Sequence, residues 1–178
     1  MAPDAFLGKI LHLIDEHGWA VVGVGGAGCD CAGCDGGADD GIQFSYTVGL
    51  STLGFPEVIT YGLPQSVAQA CLNRIGQQVS AGKPPRVGAM VDRVFQGLRG
   101  YLLEVSDTSD LVVVGQVYPE IIAAQLIWPD MHGRFPWQPG VRPPAVPTAT
   151  DRPAASASGR AELGSGPVPA PLIATLAW

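Results

Sequence analysis

Phe44-Ser45-Tyr46-Thr47-Val48-Gly49-Leu50-Ser51-Thr52-Leu53-Gly54-Phe55-Pro56-Glu57-Val58-Ile59-Thr60-Tyr61-Gly62-Leu63-Pro64 is the stretch on which the fold turns. Ile42, Phe44, Tyr46, Val48 and Leu50 alternate with Gln43, Ser45, Thr47 and Gly49, the period of a strand with one buried face. That pattern predicts that Phe44, Tyr46 and Val48 point together into a core. Gly54 and Pro56 mark Ser51 to Pro56 as a tight connection, and Val58 to Leu63 forms a second apolar run. Pro64 suits the first turn of a following helix, where its missing N–H costs nothing.

Upstream, residues 4–17 read as an amphipathic helix. Phe6, Leu7, Ile10, Leu11 and Ile14 recur at helical spacing, Pro3 and Asp4 suit its start, and Gly18 suits its end. His17 falls in the last turn, where a cation meets the negative end of the helix dipole. Trp19 to Val24 reads as a strand, pairing with the central one as a hairpin. Between them, Gly25 to Gly41 holds seven Gly, four Asp and three Cys in seventeen residues, so it supplies no core and reads as a long loop.

Downstream, Pro64 to Ser80 is a second helix with Val67, Ala68, Cys71, Leu72, Ile75 and Val79 on its apolar face and Gly82 beyond its end. Cys71 reads as a small buried hydrophobe. Val87 to Phe95 and Leu98 to Val105 read as strands. The valines of Leu111 to Tyr118 favour a strand, but Ser109 or Asp110 as cap and Pro119 as stop favour a short helix, and helix is the expectation. Ala123 to Trp128 is a further strand. From Gln138 the composition changes: eight of the sixteen prolines fall in the last 41 residues, among Ala, Ser, Gly and Thr. Such a segment buries too little surface to offset its ordering entropy. The division is therefore a domain over 1–140 and a disordered or surface-draped tail over 141–178. Leu172, Ile173, Leu176 and Trp178 are candidates to dock as a terminal anchor.

The expected architecture is α+β: one domain with a mixed, mainly antiparallel sheet and two or three helices. A net charge of −6 and the absence of any Lys or Arg between Ile10 and Asn73 argue against nucleic acid as a partner. No apolar run approaches the roughly 20 residues of a membrane span, and no signal peptide is apparent, so the expected location is the cytoplasm. There, Cys29, Cys31, Cys34 and Cys71 are thiols or metal ligands in preference to disulfides.

Four ordered blocks carry a resemblance: His17-Gly18-Trp19-Ala20-Val21; Phe44 to Leu50; Pro56-Glu57 with Gly62-Leu63-Pro64; and Gln125-Leu126-Ile127-Trp128-Pro129-Asp130 with Gly133-Arg134-Phe135-Pro136-Trp137. Over about residues 4–140 the chain resembles the bacterial domain of unknown function 4262 family, which implies a bacterial protein and no particular activity. Members similar to this chain often carry cysteines ahead of the first helix, whereas here they follow it. Thr47 to Ser51, Pro56 to Ile59 and Leu63-Pro64 are also similar to a stretch of suppressor-of-fused-like domains, among them bacterial immunity proteins.

Two constellations carry candidate chemistry. Cys29, Cys31 and Cys34 place three thiols within six residues on a Gly-rich loop, a spacing that folds around one soft cation, so zinc is a candidate cofactor. A structural site wants a fourth ligand, for which Asp30, Asp35, His17, His12 or a partner's side chain are available. The plain alternative is a loop with idle, reduced thiols. Secondly, His17, Tyr46, Thr47, Glu57, Trp128, Asp130 and Trp137 are candidate ligand-binding residues around one cleft. Glu57 is either a general base or a solvated turn residue, Asp130 either a site carboxylate or the support of its own turn, and the two tryptophans either platform or packing. No Walker loop or HExxH is present, and Gly23-Val24-Gly25-Gly26-Ala27-Gly28, glycine-rich after a strand, is followed by a run of Cys, Asp and Gly where a dinucleotide fold needs a helix, so it is rejected as a dinucleotide fingerprint. Three functions remain: a module binding a small molecule or protein; a small enzyme with a carboxylate and tyrosine cleft, one variant being a flavin-linked split barrel; or a zinc protein built on the cysteine loop.

Overall fold

A computed structural model describes residues 3–25, 43–95, 97–139 and 174–175. Helix α1 (Pro3–His17) leads into β1 (Ala20–Val24). After it come β2 (Phe44–Val48), a 3-10 turn (Leu50–Leu53) and β3 (Glu57–Tyr61). Helix α2 (Gln65–Ser80) follows, then β4 (Met90–Val91), β5 (Gly100–Val105), helix α3 (Val112–Val117) and β6 (Ala123–Ile127). Ala174–Thr175 forms β7. The strands make one sheet in the order β4-β5-β6-β3-β2-β1-β7. All neighbours are antiparallel except β3 and β6, which run parallel with Glu57 opposite Ala123. This is the mixed α+β domain expected. The order is linear and the described sheet is open, unlike a split barrel.

The central stretch folds as its alternation predicts on one face. Tyr46 and Val48 lie in a core with Phe6, Ile10, Leu13, Ile59, Leu111 and Val114, and Phe44 packs against it. The other face is not solvated, because Ser45 and Thr47 are buried too. A second core there joins Trp19, Val21, Val58, Cys71, Leu72, Ile75, Leu102 and Leu126 beneath α2. The sheet is thus sandwiched between α1 with α3 on one side and α2 on the other. Two glycines make close approaches possible. A Cβ on Gly49 (φ 121°) would lie 2.7 Å from the Gly18 carbonyl oxygen, and one on Gly76 would lie 2.4 Å from the Trp19 ring. Helix α2 therefore sits directly on the indole, whose Nε1 donates to Asn73 Oδ1 at 3.2 Å.

Several expectations change. In α1, Leu13 turns inward, while Leu11 is 46% exposed. Val67 likewise leaves the apolar face of α2. Val87 to Phe95 is not one strand: only Met90 and Val91 pair, and Gly88 and Arg93 both take positive φ, which breaks extended backbone. The helix over 112–117 forms as expected, but its N-cap is Leu111 with no side-chain cap, so neither Ser109 nor Asp110 plays that part. The hairpin of β1 and β2 is confirmed, with Ala20 opposite Val48 and Val24 opposite Phe44. Most of its connecting loop, with Cys29, Cys31 and Cys34, lies outside the described residues. So does the tail, apart from β7, whose residues pair with Val21 and Val22.

Candidate functional site

Because β3 and β6 are parallel, the sheet has a definite bottom, where both begin, and a top, where both end. The candidate residues divide between them. At the bottom, β2 ends at Val48 and the chain must reverse through Gly49 to Leu53 before β3 begins. The first amides of a 3-10 turn have no partner within it. Glu57, at the start of β3, supplies the acceptor. Its Oε1 accepts Gly49 N at 2.9 Å, Ser51 N at 3.0 Å and Ser51 Oγ at 2.8 Å. Its Oε2 accepts the Thr47 hydroxyl at 2.6 Å, and that hydroxyl accepts Val58 N at 2.9 Å. Glu57 and Thr47 are both 0% exposed. The carboxylate is neither a solvated turn residue nor an accessible base; it holds together the reversal between two strands. The nearby Tyr118 hydroxyl has a raised pKa, from burial first and the Glu57 charge second.

His17 belongs to this end, in the last turn of α1, with its Nε2 3.5 Å from Glu16 Oε2. Tyr46 lies within the sandwich instead. Its hydroxyl accepts Val113 N at 3.4 Å, and burial pushes its pKa up to about 12. Tyr46 and Thr47 point to opposite faces of the sheet, so they line no common cleft.

At the top, Trp128, Asp130 and Trp137 do come together in one segment. Trp128 leaves β6 and donates its Nε1 to the Tyr61 carbonyl at the end of β3, at 2.9 Å. Asp130 closes the next turn: Oδ1 accepts His132 N and Arg134 N at 2.9 Å each, and Oδ2 accepts Arg134 Nε at 2.9 Å and Nη2 at 2.8 Å. These bonds, the Arg134 amide foremost, hold its carboxyl below the ordinary value of 3.8. The turn delivers Phe135, which is buried, and Trp137, which is 56% exposed. The two rings stack at 4.9 Å and 11°, and both meet Tyr101 of β5 edge-on, at 6.4 and 5.3 Å. Met131, in the same turn as Asp130, is 86% exposed. The result is an aromatic shelf of three packed rings on the sheet's rim.

Composition could point to Trp128, Asp130 and Trp137, but not to Tyr101, which arrives from a strand about thirty residues upstream. Its only signal was a tyrosine near the start of an apolar run.

The family described as a domain of unknown function, DUF4262, matches residues 13–142. The chain belongs to the DUF4262 family. No curated protein and no solved structure matches it. The match spans both the Glu57 turn and the aromatic shelf of this DUF4262 chain. Among the described residues no group of three or more His, Cys, Asp or Glu is placed to hold a metal ion, and no helix is long and apolar enough to cross a membrane.

Proposed function

We propose that this DUF4262 domain is a binding module whose aromatic shelf takes an apolar side chain of a protein partner. The observation that carries the reading is Trp137: an indole stacked on Phe135 and edge-on to Tyr101 yet more than half exposed. Large aromatic and methionine side chains that are rigid and accessible are the usual anchors of protein interfaces, because little entropy is lost when they are covered. The shelf is a flat rim, which suits a protein surface better than a small molecule needing enclosure. The enzyme alternative draws less support, since Glu57 spends both oxygens on the chain's own donors and Tyr46 keeps its proton to about pH 12.

The test is a photo-crosslinking residue at Met131 in living cells, with the same residue at Val112, which is 61% exposed on α3, as control. One protein adduct specific to position 131 is expected. Reconstituted with that purified protein, Trp137→Ala should weaken binding at least tenfold, the usual effect of losing an aromatic anchor, at an unchanged melting temperature. Crosslinking only within the chain, or to a second copy of it, would overturn the reading.

A further inference from the structure

The outer surface of α2, on the face of the sheet opposite the shelf, carries a separate feature. A shallow, open surface depression of about 440 Å³ is lined by Arg74, Gln77, Gln78, Ala81, Lys83 and Arg93. Three of its six residues are cations and none is an acid, on a chain whose net charge is −6.

Each cation is positioned by backbone. Arg74, Gln77, Gln78 and Ala81 fall at i, i+3, i+4 and i+7, one stripe of α2. The helix closes with Gly82 N bonded to Val79 O and Lys83 N to Gln78 O, the paired bonds of a Schellman end, which turns Lys83 back beside the last turn. Arg93 comes from the loop after β4 and is the one described non-glycine residue at positive φ, 63°. That conformation is costly for a long side chain, and such strain collects where a side chain must be aimed. The loop is tied to α2 at this point: Arg74 Nη1 donates to Arg93 O at 3.3 Å and Val94 O at 3.2 Å, and Cys71 Sγ donates to Val94 O at 3.5 Å. Both Arg74 bonds use Nη1, leaving Nη2 and Nε without a hydrogen bond among the described residues. The nearest acid in sequence, Asp92, is directed to Arg99 at 4.0 Å.

Cations at a helix C-terminus complement its dipole, and that accounts for Lys83. It does not account for Arg93, which lies off the helix. The negative end of α2 offsets part of the Lys83 charge, but Arg74 and Arg93 still repel each other across the opening, and a bound anion removes that repulsion. We infer that the depression between α2 and the Arg93 loop binds a small multivalent phosphate through Arg74, Lys83 and Arg93. The two glutamine amides add neutral donors. No aromatic ring lines the depression, so recognition rests on the phosphates and not on a stacked base.

Calorimetry with inorganic pyrophosphate as probe, against sulfate at equal ionic strength, tests this. Pyrophosphate should bind one-to-one and at least tenfold tighter than sulfate. Arg93→Gly is the informative variant, because it removes the charge and relieves the strain together. It should weaken pyrophosphate at least tenfold while keeping or raising the melting temperature, so its loss of binding cannot be put down to unfolding. Lys83→Gln should weaken binding similarly, and Lys9→Gln on α1 should not. Equal affinity for sulfate and pyrophosphate, or unchanged binding by Arg93→Gly, would overturn the site. The shelf reading stands or falls separately, since neither variant touches it.

Discussion

Two turns of this molecule are built by the same chemistry. The Gly49 to Leu53 reversal at the bottom of the sheet and the Asp130 to Arg134 turn at the top each gather two backbone amides onto one carboxylate oxygen, with side-chain donors completing the shell. Their settings differ. Glu57 is fully buried and reaches donors six to ten residues upstream, so it joins two strands. Asp130 sits at the surface, and its donors lie within four residues. A donor left without its acceptor rehydrates freely at the surface, but in the interior it bears the full desolvation cost. The first turn should therefore matter to the fold, and the second to the surface it presents.

The largest effect is expected from Glu57→Ala. It strands Gly49 N and the Thr47 hydroxyl in the interior and opens a void, which should cost about 3–5 kcal/mol in chemical denaturation. Glu57→Gln keeps an acceptor for Gly49 and Ser51 and can turn its amide toward Thr47 Oγ1. It loses the charge assistance and, because that amide is a donor, leaves the Thr47 hydroxyl proton without its acceptor, so it should cost about 1–3 kcal/mol. Equal stability of Glu57→Ala and wild type would show that the bottom turn is no more structural than the top one.

A smaller loss is expected from Thr47→Val, which preserves shape while removing one donor to Glu57 and one acceptor for Val58 N. About 1–3 kcal/mol is expected, and Thr47→Ser should recover most of it. If Val and Ser behave alike at this position, the hydroxyl is incidental and the carboxylate acts alone.

What the sequence disclosed follows from the range of the interactions. The strand at 44–48, the reversal at Gly54 and Pro56 and the helix after Pro64 are local patterns, and each is where the pattern puts it. Val87 to Phe95 misleads because its β-branched and other apolar residues favour a strand even where Gly88 and Arg93 bend the backbone out of the sheet. Burial of Ser45 and Thr47 was not legible either. It depends on α2 covering the second face, and polar residues in a strand ordinarily announce solvent. Glu57 is the clearest case. Following a proline, it reads as a solvated turn residue or a base. Its role appears only when the amides of Gly49 and Ser51 are seen to need an acceptor. The one clue in sequence was the turn itself, whose first amides cannot all bond within it. Candidate site residues were divided for a similar reason. Tyr46 and Thr47 are adjacent in sequence, and a strand sends adjacent side chains to opposite faces.

The smallest effect on stability, and the one that most sharpens the contrast, is expected at Asp130. Asn at this position retains an oxygen for His132 N and Arg134 N but loses the ion pair to Arg134, and its partners stay hydrated. No resolvable change in melting temperature is expected. The shelf should respond instead, since Asp130 sets the turn that delivers Phe135 and Trp137 onto Tyr101. With 5-fluorotryptophan incorporated and the Trp137 signal assigned by Trp137→Phe, Asp130→Asn should shift or broaden the Trp137 fluorine resonance and leave Trp19 unmoved. Titration supplies the same comparison in the wild type. The folded-state pKa of Asp130 lies below the ordinary 3.8. Its contribution is therefore fully present above that value and is lost as pH falls through the depressed native one. The Trp137 resonance should hold its position down to the ordinary carboxylate range and move only below it, toward where Asp130→Asn already sits at neutral pH. A Trp137 signal indifferent to both would mean that stacking on Phe135 and Tyr101 alone fixes the shelf, and that the exposed turn supports nothing.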